Sequence, residues 1–230
     1  MVNGMAHLPL LLDAFGEDVV LGAAAKLATS LLPDGTIDEV VPGVQFDIGT
    51  LHGLDSVETK RIATEFAVTG IAVTVSNDIR LVMWEKFAFI ISTAVLTCLT
   101  GAVIGSVATA DGGPSLAGQV LDEVATVAAA EGYPLSDSTA TTLTALLTNP
   151  SSRFAPSMFR DFQAGRPVET AVFGDMAARA RRHLITTPLL DAAIVAINVG
   201  QQPRSVSGVP AVVDGDDRSF SSDRSPGHGR

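Results

Sequence analysis

From Phe87 to Ala110 no residue carries a charge, in a chain of 230 residues of which 17% are charged. A run this long, apolar nearly all round, is either a membrane span or a helix enclosed at the centre of a domain. Ser92, Thr93, Thr97, Thr100 and Ser106 dilute it, Gly101 and Gly105 interrupt it, and no basic cluster or aromatic belt marks a far membrane face. The pattern predicts a buried core helix, capped at its start by Asn77 or Asp78. At its mouth stands Trp84-Glu85-Lys86-Phe87. A lysine where a helix turns from charged to apolar has two readings. Its stem packs while the ammonium reaches water, or it is a catalytic acid whose partly desolvated amine has a lowered pKa. The local sequence does not choose.

The rest of the chain narrows the choice. Aromatic residues are scarce at 5% while hydrophobic residues make up 47%, so the core must be built from Ala, Val, Leu and Ile. A net charge of -10 argues against nucleic acid or an anionic membrane as partner. Cys98 is the single cysteine and lies inside the apolar run, which excludes a disulfide framework and fits a reducing, cytoplasmic setting. The apolar patch His7 to Leu12 lacks a basic flank and does not read as a signal peptide. His7, His52, His183 and His228 are isolated in sequence and make no metal-ligand spacing.

Taken in order, Val2-Asn3-Gly4 reads as the tail of a strand turning sharply, followed by a short helix that stops at Gly16. A domain that begins on such a turn is expected to be preceded by more of itself. Asp18 to Leu32 reads as a strand, Pro33-Asp34-Gly35 as a turn, and Thr36 to Val41 and Val44 to Gly49 as two neighbouring short strands. Val57, Ile62, Ala63 and Phe66 give helical spacing between Ser56 and Val68, and Ile71 to Val75 is β-branched. Everything beyond Asn77 reads helical. Leu116, Val120, Val124 and Val127 form one face, and Ser136 or Asp137 caps a Thr-rich helix. A short helix runs from Ser157 to Ala164, Pro167 opens another, and the last spans Pro188 to Val199. Residues 1–77 are therefore the α/β part, 78–199 the helical part, and 200–230, rich in Ser, Gly and Pro, a disordered tail. Neither G-x-G-x-x-G nor a P-loop occurs.

Three segments together resemble the ketopantoate reductase (2-dehydropantoate 2-reductase) family. Asn3-Gly4 is similar to the Asn-Gly turn that closes its nucleotide-binding domain. WEKF at 84–87, with Leu99-Thr100 and Gly105, is similar to the opening of its helical domain. Pro156 to Asp161, Gly165 to Glu169 and Thr187-Pro188 are similar to its Ser-Met-x-x-Asp, Gly-Arg-x-x-Glu and Thr-Pro run. The resemblance covers about residues 1–199. It implies the remnant of a Rossmann-type α/β domain followed by an all-α domain like the C-terminal domain of 6-phosphogluconate dehydrogenase. It further implies NADPH-dependent reduction of ketopantoate to pantoate, in pantothenate biosynthesis. Lys86 would be the general acid, with Glu169 beside it as a second catalytic residue. Ser157 and Asn3 would contact substrate, and Asn3 and Glu169 would lie at the cofactor.

Read alone, Glu169 is also a helix first-turn carboxylate, Ser157 a helix cap, and Asn3 a turn residue tolerating positive φ. The family commonly carries asparagines four and eight residues after its lysine; here those places hold Ile90 and Ala94, which opens the question of the true 2-oxo acid. The family's glycine-rich first βαβ unit would precede Met1, so the chain is expected to be shortened at its N-terminus. A non-catalytic helical module that dimerises or binds a partner is the alternative, and a membrane protein the third reading. For the enzyme, the expected partner is a small-molecule 2-oxo acid, without nucleic acid, membrane or metal, and a homodimer stays open. Residues 201–230 hold too little apolar area to support a core. Deleting them should leave the thermal midpoint nearly unchanged, and a drop of many degrees would show that they pack on the domain.

Overall fold

The structure, a computed structural model, describes residues 3–32, 34–53 and 57–202. In chain order the elements are α1 (His7–Phe15), β1 (Leu21–Leu31), β2 (Ile37–Thr50), α2 (Val57–Phe66) and β3 (Ile71–Val75). Then come α3 (Ile79–Thr100), α4 (Ile104–Thr109), α5 (Gly113–Ala130), α6 (Asp137–Leu147), α7 (Ser157–Gln163), α8 (Thr170–Arg182) and α9 (Pro188–Gly200). A small sheet region is thus followed by a largely helical domain. Much of the disordered-tail reading, from residue 203 onward, lies outside the described residues, as do Pro33 and the start expected at Ser56.

The uncharged run is α3, and it is enclosed. Every residue from Ile91 to Cys98 is buried, and α5, α7, α8, α9, β1 and β2 all pack against the helix. Among the described residues it is the one helix long and apolar enough to cross a membrane; here protein surrounds it instead. Its threonines do not spoil the burial, because each hydroxyl bonds back onto the helix. Thr93 donates to Phe89 O at 2.8 Å, Thr97 to Thr93 O at 2.7 Å and Thr100 to Leu96 O at 2.7 Å. Asp78, not Asn77, caps the start by accepting from Leu81 N at 3.1 Å, and Gly101 ends the helix in the left-handed conformation at φ 67°. Cys98 is buried in this helix, and desolvation pushes its thiol up to about 12, which leaves it inert.

The sheet has the order β1-β2-β3, with β1 and β2 antiparallel and β2 and β3 parallel across the α2 crossover. Its two faces have different coverings. Ala24 joins the main core with Leu51, Ile79 and Trp84, while Ala25, Phe46 and Ile48 form a separate cluster with Ala63 of α2. Thr36 to Val41 and Val44 to Gly49 were expected as two strands, and they are one. Pro42 and Gly43 fall in a bulge opposite Leu27, where no ladder N–H is required of the proline. Val57, placed by its spacing on the inner face of α2, is exposed. The inner face is Thr59 and Ala63, with Phe66 at its edge stacked on Phe46 at 5.1 Å.

Other boundaries moved for equally local reasons. Asn3 to Met5 form a bend rather than the tail of a strand. Pro167 does not open α8. Val168 is buried, and an inverse γ-turn centred on Glu169 (φ -70°, ψ 67°) closes with Thr170 N to Val168 O at 2.7 Å. The chain dips into the core before the helix starts. The short α4 was not anticipated. Gly105 lies in it because the backbone of 150–152 crosses there, with Gly105 N donating to Ser152 O at 2.9 Å. At the start of α9 the Thr-Pro step leaves N–H groups free, and Glu123 of α5 accepts from Leu189 N at 2.9 Å and Leu190 N at 3.1 Å.

The sheet is seated on α3 by two glycines. Gly22 and Gly49 pair directly across β1 and β2. A Cβ on Gly22 would stand 2.8 Å from Ile79 Cγ2, and one on Gly49 would stand 2.4 Å from the backbone oxygen of Ser76 and 2.9 Å from Ile79 Cβ. Backbone cannot swing aside as a side-chain tip can. Gly49→Ala should therefore lower unfolding stability by about 1–3 kcal/mol, the usual range for overpacking. Gly118→Ala, on α5 where an added Cβ meets nothing within 4 Å, should instead raise it by up to about 1 kcal/mol through helix propensity. Denaturant melts of the two variants check the contrast.

Candidate active site

Each residue of the WEKF segment has a different surrounding, and together they aim Lys86. Trp84 is fully buried. It stacks on Tyr133 at 5.9 Å, and the Arg179 guanidinium lies over its ring at 5.0 Å. Glu85 accepts from the Ser136 hydroxyl at 2.5 Å and from Ser136 N at 3.2 Å, which ties α3 to the cap of α6. Phe87 is buried against Trp84, ring centres 5.5 Å apart. With its neighbours fixed on these sides, Lys86 is left on the remaining face.

That face opens into a small recess with room for little more than a water-sized body, about 20 Å³. Met5, Met83, Phe87 and Ile90, with Ala23 and Ala24 of β1, make its walls apolar, and Gly4 contributes backbone. Lys86 and His7 are the lining residues with a polar side-chain end. Lys86 is part-buried and makes no hydrogen bond or ion pair with any described residue. Desolvation pushes its ammonium below the ordinary lysine value, and the charge of Lys26 on β1 adds to the shift. Lys26 itself is held by the buried carboxylate of Asp47 at 3.2 Å.

The remaining sequence candidates divide. Asn3 donates its amide to Glu169 at 2.8 Å, joining the N-terminal bend to the start of α8 across 166 residues of sequence. Positive φ in that bend belongs to Gly4, at 77°, and not to Asn3. Glu169 occupies the cap position of α8 without making a cap bond, and its carboxylate engages Asn3 rather than Lys86. Ser157 is the exposed first residue of α7, Pro156 holds the cap position, and the hydroxyl bonds no described residue. Ser157 does not line the recess. Ile90 does, whereas Ala94 is wholly buried in the core behind it. The structure thus brings Lys86 and Gly4 together, joins Asn3 to Glu169 beside them in chain order, and leaves Ser157 apart.

The loop that carries Glu169 is held by residues the sequence had marked only as motif letters. Arg166 donates through Nε to Asp161 Oδ1 at 2.9 Å, and its backbone N–H reaches Asp161 O at 2.9 Å. Farther along α8, Arg179 is buried between Asp175 at 3.0 Å and Glu131. Glu131 also takes Arg182 at 2.8 Å and His183 Nε2 at 3.0 Å. Burial alone would raise the Glu131 carboxyl, but the bonds from Arg182, His183 and Arg179 outweigh it and hold the carboxyl below its usual range. His7 and Lys26 are the groups that reading the sequence did not select. His7 was visible only as an isolated histidine, and Lys26 only as one of three lysines.

A small sheet region thus precedes a largely helical domain, and Lys86 lines a recess formed by residues of both. The chain belongs to the ketopantoate reductase family: residues 78–201 match the family model described as "Ketopantoate reductase PanE/ApbA C terminal". Among curated relatives it is 25% identical over 191 residues to an uncharacterized oxidoreductase, YkpB, of Bacillus subtilis, covering 83% of this chain and 63% of that one. It is 23% identical to the 2-dehydropantoate 2-reductase of Halobacterium salinarum over 82% of this chain and 62% of the relative. The chain therefore spans less than two thirds of the length of these relatives. The crystal structure of the 2-dehydropantoate 2-reductase from Geobacter metallireducens superimposes with a TM-score of 0.74 at 22% identity, over 86% of this chain and 66% of that chain. The fold is also that of a D-mandelate dehydrogenase solved with NADH and anilino(oxo)acetate, at TM-score 0.74 and 14% identity over 87% of this chain and 66% of that chain.

A nicotinamide dinucleotide needs a site for its pyrophosphate as well as for its reactive ring. The sequence has no glycine-rich turn leading into a helix, and such a turn is what receives a pyrophosphate. The residues present do not fit the whole cofactor. The 230-residue chain by itself should bind NADPH weakly or not at all, and a titration followed by nicotinamide fluorescence checks this; tight stoichiometric binding would mean that other residues hold the phosphates.

Proposed function

We propose that this chain carries the acid and the substrate recess of a reductase that converts a 2-oxo acid to a 2-hydroxy acid with NADPH, 2-dehydropantoate being the substrate its family suggests. One observation carries the reading. Of the three charged residues on α3, Arg80 bonds Leu51 O at 2.8 Å and Glu17 at 2.7 Å, and Glu85 bonds Ser136. Lys86 alone has no bonded partner among the described residues, although it is part-buried and faces a recess. A snorkelling lysine needs only open water, whereas this one is desolvated beside apolar walls.

The chemistry follows from that placement. A nicotinamide cofactor, when bound, supplies the hydride. Reduction of a ketone builds negative charge on its oxygen, and the Lys86 ammonium neutralises that charge and donates the proton. Its lowered pKa makes it a better donor than an ordinary lysine. Asn3 and Glu169, bonded to each other, are proposed to stand at the substrate and cofactor side of the recess. Ser157, exposed at the start of α7, is proposed as a further substrate contact. Activity in the cytoplasm is part of the same proposal.

The test joins this chain to the nucleotide-binding part of a relative and measures NADPH oxidation by 2-oxo acids. Lys86→Ala should lower kcat by roughly 10²- to 10⁴-fold, the range for removing a positioned general acid. Lys86→Arg should restore little, because a guanidinium keeps its proton at neutral pH. For the parent enzyme kcat/KM should fall as pH rises through the pKa of Lys86, which lies below the ordinary lysine value. A merely structural lysine would accept arginine with the rate intact. No reduction of any 2-oxo acid by the parent would favour the non-catalytic helical module.

A further inference from the structure

The recess carries a second polar group that the reading above leaves unused. His7 is the first residue of α1, just past the Gly4 turn, and its imidazole lines the same recess as Lys86. Its Nδ1 is buried and bonds nothing among the described residues. Buried ring nitrogens are normally satisfied, and one that is not marks a place where something else is meant to bond. The helix geometry offers no local use for it. At the start of a helix the backbone presents N–H donors rather than acceptors, and α1 has no side-chain cap bond.

The charges around the ring decide what it can receive. On α3 the recess presents the Lys86 ammonium, and β1 brings the charge of Lys26 close enough to act on Lys86. Burial pushes the His7 imidazole below its ordinary value; Asp175 of α8 acts against that shift, but Arg179 binds that carboxylate at 3.0 Å. The recess therefore has a cation at Lys86, an unbonded ring nitrogen at His7 and apolar walls between them. The enclosed volume is only water-sized, so a small anion would lie across the recess with its polar ends turned to Lys86 and His7, whereas a second cation would be repelled by Lys86.

We infer that His7 is a substrate-binding residue, donating from Nδ1 to the carboxylate of the 2-oxo acid whose carbonyl oxygen faces Lys86. The inference rests on the proposed reductase activity for the identity of its ligand. It assigns the two adjacent functions of a 2-oxo acid to two different side chains, the ketone to Lys86 and the carboxylate to His7. Specificity for an acid over the corresponding amide would then come from α1, a helix that a catalytic motif search passes over.

A binding measurement on the chain as it stands separates this inference from the activity. Oxamate is isosteric with pyruvate, the three-carbon 2-oxo acid, and its amide carbonyl is not reduced by a nicotinamide; oxamide is its neutral counterpart. With histidine labelled at Cε1, the His7 resonance, assigned by its loss in His7→Leu, should move saturably with oxamate and stay put with oxamide. His7→Leu should weaken oxamate binding about tenfold, the usual effect of losing one charge-assisted hydrogen bond. His7→Gln, which keeps a donor, should recover most of it and shows that the loss is not one of folding. Oxamate binding equally well to His7→Leu, binding without moving the His7 resonance, or not binding at all would overturn the inference. Saturable binding through His7 in a chain whose joined form reduces no 2-oxo acid would instead overturn the reductase reading and leave an anion site in place.

Discussion

A helix apolar on every side has to be surrounded, and α3 imposes that demand on the rest of the molecule. From Ile91 to Cys98 it has no face that tolerates water, so α5, α7, α8 and α9 enclose it and β1 and β2 close the shell near its start. Burying each of its large side chains is worth about 1.5–3 kcal/mol, so leaving even one side open would cost a large share of a typical domain's stability. The Thr content fits because helical threonines satisfy their own hydroxyls on the preceding turn. Only the first two turns of α3 carry charge. Beyond them the helix carries only uncharged side chains, buried from Ile91 to Cys98.

The shell has to fit closely at the same end, and small residues make the fit. Gly22 and Gly49 sit opposite each other in the sheet so that Ile79 can enter against their backbones. Arg80, one position on, reaches across to Leu51 O and Glu17. The start of α3 is thus clamped to the sheet by a steric fit and a charged bond in successive residues. This sets where Lys86 lies relative to Ala23 and Ala24 of β1. A lysine side chain is long and flexible, so its placement depends on the rigidity of what carries it.

Much of this was legible in the sequence, and the parts that were not share a physical cause. Periodicity and caps gave α3, α5, α6 and α9 within a few residues, since each depends on local signals such as Asp78, Gly101 and Ser136. What failed depended on distant partners. Pro42-Gly43 looks like a strand end and is a bulge, because its tolerance depends on β1 across the ladder. Val168 looks helical and is not, because the core takes its side chain first. For the site, Lys86 and the Asn-Gly turn could be singled out by motif. The Asn3 to Glu169 bond joins residues 166 apart, and nothing local in either predicts it. Gly22 and Gly49 had a signal, glycine inside a strand pattern, that usually means a close approach.

The electrostatics of the recess follow from this division of labour. A part-buried ammonium is costly unless it is paired, and proteins usually pair it. Here four carboxylates are committed elsewhere: Glu85 to Ser136, Glu169 to Asn3, Asp47 to Lys26, Asp175 to Arg179. Four acidic groups, on α3, β2 and α8, each have another partner, and Lys86 is left with desolvation and the charge of Lys26 acting in the same direction. A residue kept only for packing would gain by relaxing towards any one of those carboxylates. An unpaired cation beside apolar walls instead holds an affinity for negative charge in reserve, and the charge that develops on a carbonyl oxygen as it is reduced is of the kind that would discharge it.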